Sequence, residues 1–259
     1  MVNRIWKHHF GRGIVRSLGN FGKTGDPPTH PELLDWLARE FTANNWSIKS
    51  LHKTIMTSSA YRQASFVATK QAELDPDNRL LSRMPLRRME AEEVRDSLLL
   101  IAGELDERPF GPADAVQVQS DGLVLSGKRR SIYVQQLRKH PASLLESFDL
   151  PAMNPNCLQR AESLVAPQAL QLLNDKSIRD LAARFADRVL KDAVNDPTRQ
   201  IRLVYRIALC RLPNDEEQAA CVETLERLKL ELKNSEAERQ ALATICHTIM
   251  NSAAFLYLD

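Results

Sequence analysis

Nowhere in the chain do apolar residues run long enough to cross a bilayer, which takes about 18 to 20 in succession. The longest candidate, Leu98 to Ala102, is closed off by Asp96 and Glu104, so no membrane span is expected. Neither sign of charge dominates. The 35 Lys and Arg against 33 Asp and Glu leave +2, and no strong field calls for nucleic acid or an anionic membrane as partner. Glycine is scarce, at 9 in 259 residues, and Gly11, Gly13, Gly19, Gly22 and Gly25 crowd into one stretch. Elsewhere so few breakers leave the chain free to be helical. The four cysteines, Cys157, Cys210, Cys221 and Cys246, form no C-x-x-C and no C-x-x-C-H, which removes a zinc ribbon and a covalently attached haem from this chain. The six histidines make no H-x-x-x-H or H-E-x-x-H pair. Adjacent His8 and His9 diverge by about 100° on a helix, so no metal site is expected.

What is present is a chain with 43% hydrophobic residues, long enough to bury a substantial core. Val2 to Phe10 reads as a short helix ended at Gly11, where a left-handed C-cap favours glycine. The T-x-x-E spacing of Thr29 and Glu32, with Pro31 in the first turn, predicts a helix over 30–42 carrying Leu33, Leu34, Leu37 and Phe41. Ser47 is placed to cap a second, with Ile48, Leu51, Ile55 and Met56 on one face and His52 beside them as a core residue. A third is predicted from Pro85 to Ile101, where Leu86, Val94, Leu98 and Ile101 form a stripe that also takes in Glu90. In the middle of the chain, Val116–Val118 and Leu123–Leu125 flank a D-G step at Asp121-Gly122, a hairpin signal. Ser131 to Val134 reads as a further strand, and a short helix follows around Ala142 to Phe148. Four clean stripes, around Phe185, Val204, Leu225 and Ile245, then predict a bundle of helices joined by short links.

Several groups invite a chemical reading. Ser17 to Lys23-Thr24 would be a P-loop if Ser17 were glycine. Thr24 is followed by Gly-Asp-Pro-Pro, however, which cannot continue as a helix to hold phosphate. Cys221 and Cys246 fall on apolar stripes, where a thiol packs as a small hydrophobe, although a Cys246 nucleophile with a distant His stays open. The charge run Arg87-Arg88, Glu90, Glu92, Glu93, Arg95, Asp96 reads as a solvated helix face with Arg88 and Glu92 at i,i+4. Glu90 is the exception, since a carboxylate on an apolar stripe needs a partner, and Arg87 is the nearest. It is either a structural ion pair or a perturbed acid in a cleft. Lys128-Arg129-Arg130 reads as a solubility or partner-contact patch.

Four stretches together carry a resemblance: Val2-Asn-Arg-Ile-Trp-Lys-His-His-Phe-Gly-Arg-Gly-Ile-Val15, Pro27-Pro-Thr-His-Pro-Glu-Leu-Leu-Asp-Trp-Leu-Ala38, Asp75-Pro-Asp-Asn-Arg-Leu80 running on to Arg87-Arg-Met-Glu-Ala91, and the closing Met250 to Asp259. The chain resembles a planctomycete C-terminal domain family of unknown function, found in proteins that often also carry cytochrome-like, haem-binding domains. One run departs from the family pattern: where R-x-N-T-T-x-P-Q-A-L is usual, this chain has Arg160-Ala-Glu-Ser-Leu-Val-Ala-Pro-Gln-Ala-Leu170. The resemblance implies a separated or truncated C-terminal piece of a larger product. It also implies a cell-envelope or secreted location, and any haem in an upstream domain or partner.

The expected fold is mainly α: two helical lobes (1–110 and 167–259) with a loop-rich segment and a small β-hairpin insertion (111–166), all within one family domain. The leading functional expectation is a non-catalytic interaction or structural module whose partner is a protein or the upstream domain of the same product. The competing class is an enzyme, such as a hydrolase acting on polysaccharide, with Glu90, Arg87, His8 and His9 around a cleft. Glu90 held by an arginine with no cavity would favour the module; an open pocket with a second carboxylate would favour the enzyme.

Overall fold

Helix dominates the computed structural model, as the scarcity of glycine and the 3.6-residue stripes require. The structure describes residues 1–66, 69–120, 122–151, 157, 160 and 163–258, with twelve α-helices among them. Strand is confined to two-residue pairings, so the fold is mainly α. None of these helices is long and apolar enough to cross a membrane. The chain divides into two compact units, Met1–Arg87 (unit 1) and Arg88–Leu258 (unit 2).

Unit 1 is built on α1 (Val2–Phe10), α2 (Pro31–Ala43), α3 (Ile48–Met56) and α4 (Thr69–Leu74). Gly11 closes α1 with φ +73, the left-handed backbone that glycine adopts without steric cost. Ser47 caps α3 by accepting from Ser50 N at 3.2 Å, as its position predicts. Val2, Ile5, Trp6 and Phe10 of α1 pack with Leu37 and Phe41 of α2 and Leu51 and Ile55 of α3. The start of α2 differs from expectation. His30 occupies the N-cap, and the Thr29 hydroxyl is not free to cap because it donates to Ile14 O at 3.3 Å. The Ser17–Thr24 segment runs as turns, with Ser17 Oγ donating to Asn20 O at 2.8 Å and accepting from Asp26 N at 2.8 Å.

In unit 2, α5 (Ala91–Ala102) shares a core with the C-terminal helices. These are α6 (Ser143–Ser147), α7 (Ala166–Asn174), α8 (Lys176–Asp192), α9 (Pro197–Leu209), α10 (Asp215–Leu232), α11 (Ala237–Met250) and α12 (Ala253–Leu256). α8 is central, packing on α5, α7, α9 and α11. Side-chain caps set the starts. Asp175 accepts from Ser177 N, Asp196 from Arg199 N, and Asn214 exchanges bonds with Glu217. The hairpin pairs β1 (Gln117–Val118) with β2 (Val124–Leu125), antiparallel, Gln117 opposite Leu125 and Val118 opposite Val124. Asp121 of its D-G step, Ala161-Glu162 of the divergent run and Asp259 of the closing stretch lie outside the described residues.

Three local expectations are corrected. α5 begins at Ala91, not near Pro85, and Leu86 is exposed. Ser131–Tyr133 is a turn of 3-10 helix, not a strand. Arg129 is buried, not a surface cation. Its Nε donates to Asp114 Oδ1 at 2.8 Å and its Nη1 to Phe110 O at 2.8 Å, and the guanidinium lies 4.8 Å from the Tyr133 ring centre.

Candidate functional site

The loop after α1 is fixed by a side chain acting as a piece of backbone. Asn3, buried in α1, donates from Nδ2 to Val15 O at 2.9 Å and accepts from Val15 N at 2.8 Å. That double bond folds Gly11–Val15 back over the helix. Gly13 lies under the clamp, where an added Cβ would meet Val15 O at 2.5 Å and the Asn3 amide at 2.8 Å. Ile14 O, turned the other way, accepts from Thr29 N at 2.9 Å and ties down the segment ahead of α2. A third segment is shaped by Asp75, whose carboxylate accepts from Arg79 N and Leu80 N, each at 2.8 Å. These bonds hold its pKa below the usual carboxylate value. Arg12 then reaches across to Asp77 O at 3.2 Å.

These three segments enclose a cleft of about 440 Å³, the size of a small-ligand site. Its floor is apolar, with Trp6, Phe10, Ile14 and Leu81. Its rim carries Arg12, Arg16, Arg79, Asp26, Asp77 and His30, of which all but His30 are exposed. Among the described residues, Arg16 and Arg79 make no side-chain hydrogen bond or ion pair. Thr29 Oγ1 lies 3.3 Å from Ile14 O and 3.0 Å from His30 Nδ1, so the Nδ1 side of the His30 ring is engaged and its Nε2 is the nitrogen left for a ligand. Three of the four stretches that carry the family resemblance meet here. We expect Asn3→Asp, which sets a carboxylate oxygen against Val15 O, to cost unit 1 about 1–3 kcal/mol. Trp6, Trp36 and Trp46, the only tryptophans, all lie in unit 1, so tryptophan fluorescence melts report its unfolding.

The sequence-predicted site residues are distributed differently. His8, His9 and Arg87 belong to unit 1 and Glu90 to unit 2. His9 is engaged with His52, Nε2 to Nδ1 at 2.7 Å, with the Tyr61 ring edge-on at 5.4 Å; His8 is exposed. His52 is half-buried and bonded to another histidine. One N–H of the neutral pair lies between the two facing nitrogens, and an added proton on the accepting ring would set two N–H donors against each other. Burial first, then the neighbouring His52, Arg87 and His8, hold His9 below its ordinary value of 6.5. The unfolded chain therefore takes up this proton more readily. The contribution of His9 to the stability of unit 1 is fully present above about pH 6.5 and is lost as the pH falls from there toward the lower folded pKa. A series of fluorescence melts between pH 7.5 and 5 should show this decline, and His9→Gln should flatten it.

In unit 2, Glu90 is the residue ahead of α5, its N–H donating to Glu93 Oε2 at 2.8 Å. Its carboxylate meets Arg160, Nε to Oε2 at 3.2 Å, and Arg160 also holds Glu92 with two bonds of 2.6 and 3.0 Å. So the partner of Glu92 is Arg160, while Arg88, extended and not helical, donates to Ser163 O and to Gln168 Oε1. Gln168 and Ser163 bond in turn to Asp149. The cavity beside Glu90, Asp149 and Arg160 measures about 20 Å³, room for about one water. Arg160, Ser163 and Gln168 all belong to the run that departs from the family pattern. Cys246 is fully buried and its thiol pKa is pushed up by burial, which disfavours the nucleophilic thiolate. No group of three or more His, Cys, Asp or Glu among the described residues is arranged to hold a metal ion.

Sequence reading missed Arg12, Arg16 and Arg79. Their signal was position: Arg12 between two glycines and Arg79 in a Pro-Asp-Asn turn, on loops that a rigid scaffold presents. The family model described as PSD1, protein of unknown function (DUF1553), matches residues 1–225. No curated protein and no solved structure matches the chain. With most of its length matched, the chain belongs to the DUF1553 family of proteins of unknown function.

Proposed function

We propose that this chain is a non-catalytic interaction module, the C-terminal part of a larger planctomycete protein, with the unit 1 cleft as its binding face. One contrast carries this reading. The acids of unit 2 that would serve proton transfer are committed to structure, Glu90 and Glu92 to Arg160 and Asp149 to Ser163. The guanidiniums of Arg16 and Arg79 instead stand uncommitted around an open cleft. A general acid needs room for its substrate, and among the described residues the cavity beside Glu90 measures only about 20 Å³. In this reading any haem chemistry resides in an upstream domain or a partner, and the location is the cell envelope or beyond it.

The competing reading, hydrolysis of polysaccharide by Glu90, is tested by incubating the chain with polysaccharides and measuring reducing ends. None should be released. A release that Glu90→Gln abolishes while the melting temperature holds would replace the module with a hydrolase.

A further inference from the structure

The charge balance of the unit 1 cleft narrows what it binds. Arg12, Arg16 and Arg79 bring three positive charges to the rim, and Asp26 and Asp77 two negative ones, leaving one positive charge to be matched. A monoanionic carboxylate restores neutrality, and a guanidinium fork meets a carboxylate with two parallel bonds. A dianionic phosphate would overshoot, and it would face two carboxylates that repel it. A peptide with successive acidic side chains meets the same repulsion. The aspartates need donors instead, and hydroxyl pairs supply them without adding charge. Arg12 already spends one N–H on Asp77 O, which fixes its guanidinium at the mouth and leaves its other donors for a ligand. His30 Nε2 adds one more polar contact, and the apolar floor of Ile14 and Leu81 suits the C–H face of a ring.

We propose that this cleft binds a uronic acid unit of an acidic polysaccharide. The carboxylate lies on Arg16 and Arg79, and the ring hydroxyls lie on Asp26 and Asp77. This inference rests on the binding-module reading and gives it a ligand class.

The test is calorimetric titration of the full chain with galacturonate and trigalacturonate, beside galactose, inorganic phosphate and a tetraglutamate peptide. We expect uronate binding at least tenfold tighter than galactose. Arg16→Glu and Arg79→Glu should each weaken it about tenfold or more. Asp26→Asn should weaken uronate but not phosphate. All three positions are exposed, so these variants should keep the wild-type fluorescence melt. Absence of uronate binding, equal binding of galactose, or tighter binding of phosphate or of the acidic peptide overturns the proposal. Chromatography of the trigalacturonate afterwards separates the two readings. Bound and recovered intact, it supports both; bound and cleaved, it leaves the ligand in place and removes the non-catalytic reading.

Discussion

Arg95→Ala is expected to destabilise unit 2 by about 3–5 kcal/mol, the range for stripping one partner from a buried charge network. Arg95 is 5% exposed. It lies on α5 and spends its donors on a different segment: Nε to Ser126 Oγ at 2.9 Å, Nη1 to Arg129 O at 2.9 Å and to Ser131 Oγ at 3.1 Å, and Nη2 to Gly127 O. Its counter-ion is Asp96, 3.3 Å away, whose Oδ1 also accepts from Ser131 N and Oγ. One arginine thereby fastens residues 126–131 to the helix. Burial lowers its pKa, against the opposing pull of Asp96. Removing it leaves two carbonyls without donors and one carboxylate without its cation. The melting temperature should fall by roughly 10 °C in far-UV circular dichroism, by the usual scaling for a domain of this size. Arg95→Lys should recover only part of this, because an ammonium cannot reach four partners spread around a planar fork. A loss below about 1 kcal/mol would mean that the network carries little of unit 2's stability.

Arg95 also marks where the sequence stops being legible. Its neighbours Arg87, Arg88, Glu90, Glu92, Glu93 and Asp96 make a run that reads as a solvated helix face, and period alone cannot tell a charge facing water from one facing a loop. The carbonyls that bury Arg95 lie 32 and 34 residues further on. Arg160, which holds Glu90 and Glu92, lies 68 residues beyond Glu92. By contrast, what depends on near neighbours was readable. The Gly11 stop, the Ser47 cap, the hairpin flanking Gly122 and the stripes of α8, α9 and α11 are each set by contacts within one turn or one repeat. The start of α5 was misplaced because Leu86 continues the stripe by spacing while the chain at Arg88 is extended. At the cleft, Arg12 and Arg16 on the connection between α1 and α2 and Arg79 in the segment after α4 show no pattern along the chain. They become a group only once Asn3, Thr29 and Asp75 have fixed those loops.

Phe185→Ala should be comparably damaging, at about 3–5 kcal/mol, through a different mechanism. Phe185 has no exposed surface and sits in α8, the helix around which unit 2 is assembled. Its stripe mates Ile178, Ala182 and Val189, and Leu242 and Cys246 of α11, are equally sealed. Ala182 and Ala186 are small where α8 meets its neighbours, so the ring fills space that no adjacent side chain on the helix can take over. Helices pinned by caps at Asp175, Asp196 and Asn214 have little freedom to collapse into the void, which places the cost toward the upper part of that range. Phe185→Leu, losing less volume, should cost roughly a third as much. Circular dichroism or calorimetry is the proper readout, because unit 2 has no tryptophan. Asn3→Asp, in the unit that holds all three tryptophans, is read instead by the fluorescence melt.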